Sequence, residues 1–177
     1  FYRALMQAGD VAPINSLIDA LRAKGMNPLP LFGTSLKETE TAAIIADFLV
    51  RADVDVILNM TSFAVSDPSK MAGAATGDDQ GMIRSVGPFG AVDAPVFQLV
   101  LASNQQADWQ TSMAGLTARD LAMNVALPEL DGRILTRAVG FKQPLTKDPV
   151  THAMTTSYVA ADDRIAFVAD LVARWCW

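Results

Sequence analysis

The stretch Val96-Phe97-Gln98-Leu99-Val100-Leu101 constrains this chain more than any other. Pro95 precedes it, and five of its six residues are apolar. A run without strict apolar–polar alternation is typical of a parallel strand covered on both faces. Parallel neighbours are joined by crossovers, and the preceding sequence supplies them. Pro13 suits the first turn of a helix, where its missing N–H is not needed. Ile14, Leu17, Ile18 and Leu21 follow at i, i+3, i+4 and i+7, one face of an amphipathic helix. Arg22 and Lys24 favour its C-terminal end, and Gly25 can take the left-handed cap.

Residues 1–6 are expected as the tail of a first strand and residues 27–32 as an extended stretch, since Pro28 and Pro30 forbid a helix interior. A second helix is expected over 40–52, with Ala42, Ile45, Phe48 and Leu49 on its buried side. The β-branched run 54–59 reads as a strand. Helices are expected over 105–113 and from 118, the latter capped by Thr117 with Asp120 three residues on. Residues 126–132 read as an extended segment ending in a turn, 134–141 as a strand, and a last helix starts near Asp162 with Ile165, Val168, Ala169 and Val172 on one face. The alternation predicts an α/β fold: an open, mostly parallel Rossmann-like or flavodoxin-like sheet with flanking helices. Its expected division is an α/β domain over 1–133, then a C-terminal strand and helix over 134–177. The stretch 61–92 lacks periodicity and holds glycines 73, 77, 81, 87 and 90, so a long functional or disordered loop is expected there.

Composition excludes several classes. Hydrophobic residues make up 51% and charged residues 19%, which is incompatible with intrinsic disorder. One cysteine (Cys176) and one histidine (His152) rule out a disulfide framework and a Cys/His zinc site. A net charge of −5 gives no support to a nucleic-acid partner. No run of 18 apolar residues exists to span a membrane, and the start lacks a signal-peptide pattern. A cytoplasmic setting is expected. The sequence has no P-loop, no G-x-G-x-x-G and no G-x-S-x-G elbow. It begins Phe1-Tyr2-Arg3 and stops at Trp175-Cys176-Trp177, which reads as a segment cut from a longer polypeptide.

In open α/β sheets ligands sit outside the carboxyl ends of the strands. Two segments expected there carry chemistry. Glu129 and Asp131, at i and i+2 of an extended chain, would point the same way, with Arg133 after the turn. Such a pair suits a general base or a labile ligand for a divalent cation. The same residues also fit a solvated Asp-Gly turn. Asn59, Thr61 and Ser62 end a strand and offer amide and hydroxyl donors to ligand carboxylates, or simply cap that strand. His152 is a weak candidate beside an ordinary surface role, and the eight methionines fit core filling better than metal ligation.

Several segments carry a resemblance. Phe1-Tyr2-Arg3-Ala4, Asn27-Pro28-Leu29-Pro30-Leu31-Phe32, Asn59-Met60-Thr61-Ser62-Phe63-Ala64 and Asp93-Ala94-Pro95-Val96 resemble the large CobN-type subunits of cobaltochelatase. So does Leu116-Thr117-Ala118-Arg119-Asp120-Leu121, and the most specific match is Ala126-Leu127-Pro128-Glu129-Leu130-Asp131-Gly132-Arg133-Ile134. The likeness extends, more distantly, to the large ring-binding component of magnesium chelatase. It implies a segment of an ATP-dependent ligase that inserts Co²⁺ into hydrogenobyrinic acid a,c-diamide in aerobic cobalamin biosynthesis. ATP would be hydrolysed by two partner subunits, one of the AAA+ type, and not bound here. It also implies roles: Glu129 as base or transient metal ligand with Asp131 in support, and Arg3, Arg133 and Arg137 pairing with peripheral carboxylates of the ring. Asn59, Thr61 and Ser62 would line the same pocket. Scarcity of Cys and His fits a site that gives its metal away, since carboxylate oxygens hold such ions more weakly than thiolates and imidazoles. The rival readings are a docking or scaffold segment without chemistry, the equivalent segment of a magnesium enzyme, and a free-standing sensor module.

Overall fold

A computed structural model describes residues 1–65 and 87–176. Its elements run α1 (Arg3–Gln7), α2 (Ala12–Ala23), α3 (Thr39–Ala52), β1 (Ile57–Asn59), β2 (Val96–Ala102), α4 (Gln106–Thr111) and α5 (Ala118–Leu121). A π turn (Ala122–Ala126) and α6 (Leu127–Glu129) continue α5. There follow β3 (Ile134–Lys142), β4 (Thr146–Lys147), β5 (Met154–Thr155), β6 (Tyr158–Ala160) and α7 (Asp162–Cys176). The sheet order is β1-β2-β3-β6; the first three strands are parallel and β6 closes the edge antiparallel to β3. The mostly parallel α/β sheet with flanking helices is therefore present, and β4 and β5 add a small hairpin that the periodicity does not announce.

The expected central strand is β2, with Phe97 2% exposed and Leu99 and Val100 fully buried. Phe97 and Leu99 face Ile14, Leu17 and Leu21 of α2 and Ile165, Val168 and Val172 of α7. Val100 and Ala102 face the opposite way, towards Ala138, Phe141 and Trp109. A Cβ at Gly140 would lie 2.8 Å from Pro13 Cγ, so this glycine lets the start of α2 sit directly on β3. The helix α2 ends as expected: Gly25 takes φ +79°, its N–H donates to Arg22 O and that of Met26 to Leu21 O.

Three local expectations fail for identifiable reasons. Residues 1–6 do not form a strand: Tyr2 makes a single parallel bridge to Gly33, and the chain then turns into α1. The 54–59 strand shrinks to Ile57–Asn59, losing its first three residues, because its partner β2 begins only at Val96, opposite Ile57; it ends at Asn59 as expected, where the side chain bonds the backbone two residues on. Residues 126–132 are helical and then turn; they are not extended. Pro128 lacks an N–H for the carbonyl of residue 124, and its ring crowds that carbonyl. The wider turn at Ala122–Ala126 accommodates it, so the proline reshapes the helix without ending it. Residues 66–86 of the expected loop 61–92 lie outside the described residues, as does Trp177; the loop's far end forms a 3₁₀ turn, Pro88–Ala91.

Candidate functional site

One side chain organises the polar centre of the molecule. Gln98, 1% exposed, faces away from the α2–α7 core, where its amide must find partners. Its Oε1 accepts from Asn59 Nδ2 at 2.7 Å and from Arg133 Nη1 at 3.2 Å. Its Nε2 donates to Thr61 O at 3.0 Å and to Leu99 O at 3.2 Å. Asn59 Oδ1 accepts from Thr61 N and Oγ1, which bends the chain as it leaves β1. Arg133 Nη2 donates to Asp131 Oδ2 at 2.7 Å, and the same oxygen accepts from Val65 N at 2.7 Å. The two side chains are 1% and 3% exposed. Burial pulls the Arg133 guanidinium below its ordinary pKa, and the charge of Asp131 opposes the shift. The guanidinium carbon lies 5.5 Å from the Phe89 ring centroid.

A second branch runs from the same loop to the helical segment. Tyr2 OH donates to Ser62 O and accepts from Ser62 N, and Ser62 Oγ donates to Asn124 Oδ1 at 2.6 Å. Asn124 sits in the π turn and donates to Asp120, whose other oxygen accepts from Ser103 N and Oγ. Thr117 caps α5 by accepting from Asp120 N, as expected. Phe63 N donates to Met123 O at 2.8 Å. The loop 59–65 is thus tied to β2, to the turn before β3 and to the π turn.

Two cavities flank this loop. The larger, about 540 Å³, is mainly apolar and lies between α2 and α3; Leu17, Ile18, Ile45, Leu49 and Met60 contribute to its wall. The smaller, about 250 Å³, is lined by Tyr2, Ser35, Leu36, Lys37, Thr61, Ser62, Phe63, Ala64 and Val65. It shares Tyr2, Ser35 and Thr61 with the larger cavity and adds Lys37 and Ser62, so it is the better candidate for recognising an anionic ligand.

The structure brings Asn59, Thr61, Ser62, Asp131 and Arg133 into one network, and Thr61 and Ser62 also line the small cavity. It does not place Glu129 and Asp131 side by side on an extended chain. Glu129 ends α6 and is exposed, whereas Asp131 turns inward to Arg133, because Gly132 (φ +71°) reverses the chain. Residues 128–133 enter β3 at its N-terminal end and do not leave a strand at its carboxyl end. Arg3 is exposed on α1, and its charge adds to the Thr34 and Thr41 hydrogen bonds that hold the Glu38 carboxyl below its ordinary pKa. Arg137 stacks 3.5 Å from the centroid of Phe167 on α7, apart from the network. His152 is exposed in the turn between β4 and β5. Sequence reasoning missed Gln98, Tyr2, Asp120 and Asn124 as participants. The signal was present only for Gln98, a lone amide inside an otherwise apolar strand. Among the described residues no three His, Cys, Asp or Glu side chains converge, and no helix is long and apolar enough to cross a membrane.

Comparison with known proteins covers the whole chain. The family model described as CobN/Magnesium Chelatase matches residues 1–177. The aerobic cobaltochelatase subunit CobN of a Sinorhizobium species is 42% identical over 175 residues, 99% of this chain and 13% of its own length. That of Pseudomonas aeruginosa is 39% identical over the same share of each chain. Among solved structures, the catalytic subunit of cobaltochelatase from Mycobacterium tuberculosis superposes with a TM-score of 0.74 at 31% identity, over 98% of this chain and 14% of that one. The chain spans about one eighth of the length of the CobN relatives it matches.

Proposed function

This chain belongs to the CobN/magnesium chelatase family, and on that premise we propose that it serves as one segment of a CobN-type cobaltochelatase subunit, forming part of the wall at which a metal-free corrinoid receives Co²⁺. The observation that carries this reading is the match to CobN subunits along 99% of the chain, which includes every segment of the polar network. On this reading the ring is hydrogenobyrinic acid a,c-diamide, and partner subunits, one of the AAA+ type, hydrolyse ATP. Residues 1–133 would carry the ring-facing part and 134–177 would lead towards the rest of the subunit.

The roles divide by exposure. A ring nitrogen must lose its proton as the metal arrives, so a carboxylate is needed at the surface of the site. Glu129 is exposed and its carboxylate has no hydrogen-bond or ion-pair partner among the described residues, so it is the one assigned as base or transient Co²⁺ ligand. Asp131 and Arg133 engage each other in the interior; they support Glu129 by fixing the turn on which it sits. Thr61 and Ser62 face the small cavity; Asn59 holds Thr61 there, and Tyr2 and Asn124 hold Ser62. Arg3, exposed on α1, is available to pair with a peripheral carboxylate; Arg137 would have to leave Phe167 to do so.

Glu129→Gln in the complete subunit, assayed with its partners, ATP, Co²⁺ and ring, is expected to abolish metal insertion while ring affinity stays within about twofold, since only charge and basicity change. Unchanged turnover rejects the role of Glu129. The mutual pairing of Asp131 and Arg133 also favours a second reading, a docking segment without chemistry. Absence of any change in ring absorption on titration of the complete subunit would select it.

A further inference from the structure

Three non-glycine residues adopt positive φ among the described residues: Asp53 (48°), His152 (58°) and Phe63 (68°). Aspartate and histidine tolerate this region; a bulky aromatic there is an outlier. Phe63 is also 47% exposed and, among the described residues, belongs to none of the apolar clusters. Its ring contacts no other aromatic ring among the described residues. Packing in the apolar clusters of the described residues therefore does not account for a phenylalanine at this position.

The backbone around it is fixed from several sides. Thr61 is bonded to Asn59 and Gln98, Ser62 to Tyr2 and Asn124, Phe63 N to Met123 O, and Val65 N to Asp131. Strained conformations persist where their surroundings over-determine them, and such strain concentrates at ligand sites. The ring so presented stands at the small cavity beside Ser35, Lys37 and Ser62. An apolar aromatic face next to hydroxyl and ammonium donors matches a flat conjugated macrocycle that carries peripheral carboxylates or amides.

We propose that Phe63 is a positioning residue that stacks on the conjugated face of the ring, with the polar lining of the small cavity taking a peripheral substituent. The proposal deepens the functional reading above and rests on it. Stacking of this kind is geometric, favouring offset or edge arrangements between π-systems. It would hold the macrocycle in one orientation while leaving the chemical step to other groups.

The test uses the complete subunit titrated with the metal-free corrinoid, followed by the ring's visible absorption, together with steady-state insertion assays. Phe63→Leu keeps apolar bulk and the same backbone strain, Phe63→Gly removes both, and Phe63→Tyr keeps the aromatic face. Affinity is expected to fall about tenfold in the Leu and Gly variants and to stay near the original in the Tyr variant. KM should rise in step while kcat holds, as expected for binding lost equally from ground and transition states. The thermal midpoint of Phe63→Gly is expected not to fall, because glycine adopts positive φ freely. Unchanged affinity in the Leu or Gly variant, or a loss in the Tyr variant as large as in Leu, overturns stacking alone. If the unmodified subunit does not bind the ring, the functional reading itself fails, and stacking fails with it.

Discussion

The two faces of β2 are built on opposite rules. Phe97 and Leu99 enter a dry layer made by α2 and α7, in which Leu17, Ile165, Val168 and Val172 are 5% exposed or less. One residue out of phase, Gln98 starts a face that carries the Asn59, Arg133 and Asp131 network before Val100 and Ala102 restore apolar packing. Both faces exclude water. The dry face gains stability from burial of apolar surface, roughly 25 cal/mol per Å². The polar face gains little from burial, because each hydrogen bond replaces one to water. What it obtains is position: three chain segments that are distant in sequence are set against one another. A dry layer fixes that helices pack; a hydrogen-bonded polar network fixes where particular loop atoms lie.

Breaking the polar face at its charge should have the largest effect. Arg133→Ala breaks the buried ion pair with the Asp131 carboxylate, and a broken buried pair costs about 3–5 kcal/mol. Chemical denaturation of the 177-residue chain measures it. Replacing Arg133 and Asp131 together by apolar residues should recover much of that loss, while leaving Val65 N without its acceptor and the loop loosely placed. If the double replacement were as unstable as the single one, the pair would be a source of stability as well as of position.

On the dry face, Leu99→Ala should cost about 3 kcal/mol through lost transfer energy and the cavity left behind. Gln98→Leu should cost less, about 2 kcal/mol, because it leaves Arg133 Nη1 without its acceptor but keeps the volume. The order of effects on function should reverse. In the complete subunit Gln98→Leu is expected to lower metal insertion more than Leu99→Ala does, since it uncouples the 59–65 loop from the turn that carries Glu129. Equal functional losses at equal stability cost would dissolve the distinction between the two faces.

The dry face was legible in the sequence and the polar face only in part, for physical reasons. Periodicity reports burial, and the stripes Ile14-Leu17-Leu21 and Ile165-Val168-Val172 identified their helices and buried sides. The helix caps at Thr117 and Gly25 followed from local chemistry alone. Asn59, Thr61 and Ser62 were recognisable as a polar strand end, but nothing local says that Gln98, 37 residues beyond Thr61, donates to its carbonyl. Non-local polar pairing leaves no period. Residues 126–132 misled in the other direction: expected to be extended, they are helical, with Pro128 absorbed by a π turn, and Glu129 and Asp131 end on different sides of the chain.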